Sequence, residues 1–125
     1  MRRCAAVALF GVTMTVACVP AQPKPSAVRG RDLYASNGCI SCHGPTGRGD
    51  GPVGRTLTPS PRDFTDDAAY VNGRGPESIA RTLATGLNRN GAKMPAFAHL
   101  TDGERMSLAL FVLSLHDATE MDSRR

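Results

Sequence analysis

Nowhere in the 125 residues do basic side chains form a run or interleave with aromatics, which make up only 5% of the chain and include no tryptophan. A groove for nucleic acid needs a cationic track and stacking rings, so that class of partner has no support. The formal net charge is +4. Arg2 and Arg3, however, stand in what reads as a removable leader. Without them 13 basic residues face 11 acidic ones, a net of +2. The rest of the basic set reads as a solvated surface.

Spare cysteines are lacking too. Of the four, Cys4 falls inside the leader, Cys18 at its end, and Cys39 and Cys42 in one motif. None remains for a structural disulfide, a common staple of small exported domains. A long apolar run is also missing. Met-Arg-Arg followed by an uncharged stretch from Ala5 to Ala17 is a signal-peptide pattern covering residues 1–17. As helix it spans about 20 Å, short of the roughly 30 Å hydrocarbon core, so an uncleaved anchor is the weaker reading. Met14-Thr15-Val16-Ala17-Cys18 resembles a bacterial lipobox, with Thr15 where leucine is usual. Cleavage there makes Cys18 a lipid-bearing N-terminus, and the expected location is the periplasm, at the membrane. Ordinary cleavage after Ala21 is the alternative. Residues 18–27 read as a proline-rich tether, 28–117 as the folded domain and 118–125 as a polar tail.

The chemistry sits in Gly38-Cys39-Ile40-Ser41-Cys42-His43-Gly44. Cys-x-x-Cys-His is the pattern of c-type haem attachment. Two thiols on one helical turn can add to the two vinyl groups of a haem edge, and the next residue, His43, turns toward the iron. Zinc wants four ligands, usually from two such pairs, and only one pair exists. A thioredoxin-like redox pair needs a βαβ pattern that the sequence lacks. A ligating histidine donates its other ring N–H to a carbonyl or carboxylate, and Gly51-Pro52 is the expected supplier. Arg55 and Arg62 are candidates for pairing with the haem propionates.

For the second axial position the candidates after His43 are Met94, His99, Met106, His116 and Met121. Met94 precedes Pro95 in an expected loop between helices, well placed to bring a thioether to the iron. Met106 lies in a strongly apolar helix, where methionine is usually core filler. His116 and Met121 are expected at or beyond the end of that helix and exposed. His99 stays open as the alternative to Met94.

No segment alternates convincingly as a strand, and the expected class is all-α. Ser26 or Ala27 to Asn37 reads as a first helix with Gly30 and Tyr34 on one face. Glycine and proline dominate from Gly44 to Pro61, implying irregular chain. Asp66 to Val71 reads as a short helix. Pro76 opens a clearer one that Gly86 stops. Thr101-Asp102-Gly103-Glu104 is a capping box before an apolar run to Leu115. Leu108, Phe111, Val112 and Leu115 form one stripe of that run, and Met106, Leu110 and Leu113 another. One stripe is expected against the first helix near Gly30 and the other against the haem.

This layout resembles a class I cytochrome c: Gly30-x-x-x-Tyr34, the haem motif, a glycine-rich loop, Met94-Pro95 and a terminal apolar helix, over Val28 to Leu115. Gly49-Asp50-Gly51-Pro52, Pro61-Arg62-Asp63-Phe64 and Met94-Pro95-Ala96-Phe97 are similar to small bacterial periplasmic monohaem cytochromes of the subunit-III-like group. Arg105-Met106 and His99 depart from that pattern. The resemblance implies N- and C-terminal helices packed around one covalent haem c, methionine as distal ligand, and electron carriage between transient redox partner proteins instead of enzymatic turnover. The rivals are a haem protein with an open iron site and a dedicated haem subunit of a larger oxidoreductase.

Overall fold

The computed structural model describes residues 20–70 and 72–124. The leader, Cys18 and Val71 lie outside the described residues. Four helices and one small hairpin form the fold: α1 (Ala27–Ser36), α2 (Cys39–His43), α3 (Pro76–Thr85), β1 (Leu87–Arg89), β2 (Ala92–Met94) and α4 (Asp102–Ser123). Single 3₁₀ turns at Gly54–Thr56 and Asp67–Ala69 punctuate the irregular middle. The chain is mostly helical, as its patterning implies. The hairpin is the addition. It places Met94 at a strand end, paired with Leu87, instead of in a free loop. Asn90, at φ 50°, and Gly91 make its turn, and that two-residue signal was too short to show as alternation.

Local chemistry fixes each helix start. Ser26 accepts from the Arg29 N–H at 3.2 Å and caps α1. Pro76 occupies the first turn of α3, where a missing N–H costs nothing. Thr101 and Glu104 complete the capping box of α4. Arg29 pairs with Glu104 at 3.0 Å, tying the start of α4 to α1.

The terminal helices pack together. Gly30 allows it: a Cβ there would stand 2.0 Å from the carbonyl oxygen of Ser107. Ser107, fully buried, donates from Oγ to Gly103 O at 2.8 Å and accepts from the Ser26 N–H. Tyr34, a turn further along α1, meets the Phe111 ring edge-on at 5.2 Å and donates its hydroxyl to Gly44 O at 2.7 Å. Burial holds that phenol protonated well above the usual range. Tyr34, Leu83, Leu100 and Leu108 form the centre of the core.

Two expectations about α4 need correction. Its stripes do not divide as foreseen. Phe111 meets α1 while Val112, on the same stripe, lines the central cavity, and Met106 faces α3. The helix also continues through the expected tail to Ser123. His116 is therefore not exposed but buried, at 4% exposure. Arg74 Nη2 donates to its Nδ1 at 2.7 Å, and its Nε2 faces Asp67 Oδ1 at 3.2 Å. Because arginine can only donate, Nδ1 must carry the lone pair and Nε2 the proton. Met121 is exposed. Among the described residues no helix is long and apolar enough to cross a membrane.

Candidate functional site

A predominantly apolar cavity of about 430 Å³ opens between these elements. Cys39, Cys42 and His43 line it from α2, and Met94 lines it from the end of β2. Both thiols are free and half-buried. Gly38, at φ 74°, turns the chain out of α1 so that α2 begins at Cys39. The following loop folds back tightly on α2. Gly51 N–H donates to Cys42 O, and a Cβ on Gly51 would meet the Ile40 and Ser41 carbonyl oxygens at 2.4 Å. Burial, with a smaller contribution from Cys42, raises the Cys39 thiol to about 11.

His43 is held on two sides. Its ring stacks on Phe64, centroids 4.4 Å apart and planes 20° from parallel. Its Nδ1 lies 3.4 Å from the carbonyl oxygen of Arg62. Burial lowers its pKa, only partly opposed by that carbonyl, so the imidazole is held in the neutral form. With Nδ1–H directed at the carbonyl, the Nε2 lone pair is left for a metal.

The carbonyl supplier thus corrects the sequence reading: it is Arg62, not Gly51-Pro52. The loop bearing Pro52 hydrogen-bonds to the backbone of α2 and turns Pro52 to solvent. Arg55 is exposed too, donating from Nε to Asp50 O at 2.8 Å. Neither residue lines the cavity. Arg62 does, but its guanidinium donates to Ala69 O at 2.8 Å, bracing the segment that carries Phe64. Of the five candidates for the second axial position, Met94 lines the cavity, while His99, Met106, His116 and Met121 do not. His99 is exposed, with Nε2 3.2 Å from Asn37 Oδ1.

Two further residues of the site, Phe64 and Tyr70, carry no motif of their own. Tyr70 also lines the cavity and donates its hydroxyl to Phe64 O at 2.7 Å. No local pattern marks them, because the Arg62 carbonyl and the Phe64 ring reach His43 only through the fold.

A pair of free thiols on one turn, a neutral, half-buried histidine and a thioether share one apolar cavity, and this donor set fits a covalently held haem. The sequence profile of the cytochrome c family matches residues 27–116. The chain belongs to the cytochrome c family. Its members hold haem c covalently and work in haem-based electron transfer, and this cytochrome has one haem c, as its single motif requires. It is similar to a chain of a reducing HAO-like protein complex of Kuenenia stuttgartiensis, at 34% identity and a TM-score of 0.63. That match covers 78% of this cytochrome and 47% of the other chain, so this chain spans about half the length of its solved relative. No curated protein matches it.

Proposed function

We propose that this cytochrome is a one-electron carrier of the bacterial envelope, exported and tethered by lipid at Cys18, with His43 and Met94 as its two axial ligands. The observation that carries the reading is the gathering of Cys39, Cys42, His43 and Met94 on one apolar cavity, whose lining holds none of His99, Met106, His116 and Met121. Bound haem supplies a one-electron iron couple. The chain's residues do the rest. Cys39 and Cys42 anchor the group through thioethers. The Arg62 carbonyl and the Phe64 ring fix the imidazole plane. Apolar walls exclude water and, with a methionine ligand, favour a high reduction potential. With His43 and Met94 both holding the iron, the haem would have no open site for a substrate, which favours carriage over catalysis. Ile40 and Leu57, exposed beside the two thiols, offer partner proteins a small apolar contact suited to transient redox encounters.

The test is the spectrum of the mature protein. Haem should survive denaturation, the ferric form should show a far-red methionine-to-iron band, and carbon monoxide should leave the ferrous spectrum unchanged. Met94→Ala should abolish that band and admit carbon monoxide. An unchanged spectrum in Met94→Ala would instead place an open or otherwise ligated iron here.

The membrane tether has its own test. Wild-type protein should fractionate with membranes and Cys18→Ser with the soluble periplasm. The similarity to a chain of a protein complex favours a second reading, a resident haem subunit. Stable comigration of the wild-type protein with a large assembly in solubilised membranes would select it over the free carrier.

A further inference from the structure

The segment that follows Met94 is mostly exposed. Pro95, Ala96, Ala98 and His99 are exposed, and only Leu100 is buried. Its backbone is pinned where Phe97 N–H donates to Leu83 O at 2.7 Å, and it closes in a turn from Leu100 N–H to Phe97 O. The first turns of α4 reach back over this turn. Arg105 donates from Nη1 to the carbonyls of Phe97, at 3.2 Å, and Leu100, while its Nη2 meets the Asp102 carboxylate. The Arg105 side chain is only 13% exposed, whereas Asp102 is 99% exposed. The ion pair therefore contributes little. The consequential contacts are the two carbonyls, which a charged donor satisfies and which its removal would leave unpaired.

We propose that Arg105 is a positioning residue for Met94: by clamping the Phe97–Leu100 turn onto α4 it limits the slack of the ligand-bearing segment and so sets how readily the thioether leaves the iron. This rests on Met94 being the second axial ligand, as proposed above. On its N-terminal side Met94 is fixed by pairing with Leu87 in the hairpin. On its C-terminal side the backbone from Met94 to Ala96 lies close against Gly86, Phe97 packs on the core and donates to Leu83 O, and Arg105 adds a largely buried clamp on the turn beyond. The exposed His99–Asn37 contact adds a weaker one, at 3.2 Å. Lysine cannot replace the clamp in full, because an ammonium lacks the planar fork that spans two carbonyls and a carboxylate.

Imidazole titration of the ferric holoprotein tests this. Imidazole binds iron only when the thioether is off, so its apparent affinity follows the population of the detached state. Arg105→Ala should bind imidazole about tenfold more tightly than wild type and show a weakened far-red band, with Arg105→Lys in between. If Arg105→Ala does not fold, Arg105→Lys carries the test through the same two readouts. Wild-type affinity and an unchanged band in the folded variants would overturn the proposal, even if their melting temperature fell, since the arginine would then be merely structural. A wild-type protein with no such band, whose imidazole affinity Met94→Ala leaves unchanged, would instead overturn the ligand assignment itself.

Discussion

Replacing Cys39 and Cys42 together by serine should yield a chain that retains no haem through denaturation and loses most of its helical signal. The reason lies in how little of the core is protein. Among the described residues the buried apolar side chains are Tyr34, Leu83, Leu100, Leu108, Ala109 and Val112. Around them Phe64, Ile79, Met94 and Phe97 are only partly buried, and all four line the cavity. Without the haem a cleft of about 430 Å³ lies open between those walls, and the side chains facing it lose the atoms they would pack against. A small domain holds only about 5–15 kcal/mol in all, so losing a packing partner shared by so many residues removes a large part of it. Water filling an apolar cleft recovers little of that packing. Far-UV circular dichroism of the exported variant, beside haem staining of a denaturing gel, measures both effects. A haem-free chain with native helicity and a cooperative melt would show that the protein core suffices alone.

The same dependence explains what could and could not be read from the chain. Cys39, Cys42 and His43 were legible because attachment chemistry imposes a contiguous spacing. The starts of α1, α3 and α4 and the end of α3 were legible because Ser26, Pro76, Gly86 and the Thr101–Glu104 box are local signals acting within a turn of themselves. Long-range partners were not. The carbonyl at His43 Nδ1 comes from Arg62, nineteen positions away in sequence, and no local pattern distinguishes it from the carbonyl of Pro52. Arg62 and Arg55 looked alike as cations. The fold uses one to brace Ala69 and the other to close a surface turn. His116 appeared to lie past the apolar run, yet Arg74 and Asp67, more than forty residues earlier, cover it. Gly30 was legible as a close-approach point, but its counterpart Ser107, a polar residue with no exposure, was hidden in a helix dominated by larger apolar neighbours.

That crossing yields the second large effect. Gly30→Ala should destabilise the protein although it improves the helix. In an isolated α1 peptide the change favours helix by about 1 kcal/mol. In the folded protein the new methyl would stand 2.0 Å from Ser107 O, 2.6 Å from Ser107 C and 2.7 Å from Phe111 Cβ. Two of these are backbone atoms in the middle of α4, so no rotamer change relieves the contact and the helices must separate. Separation weakens the Tyr34–Phe111 edge contact and the bond from Ser26 N–H to Ser107 Oγ. Overpacking of this kind costs about 1–3 kcal/mol, outweighing the propensity gain. With about 4–8 °C per kcal/mol for a domain of this size, the melting temperature should fall by about 10 °C. Gly30→Val should fall further. Ser107→Gly should not rescue either variant, because the obstructing oxygen belongs to the main chain. Thermal melts of the holoprotein beside helicity of the α1 peptide decide the matter. Opposite signs in the two are expected, and a rise in both would mean that α1 and α4 do not approach this closely.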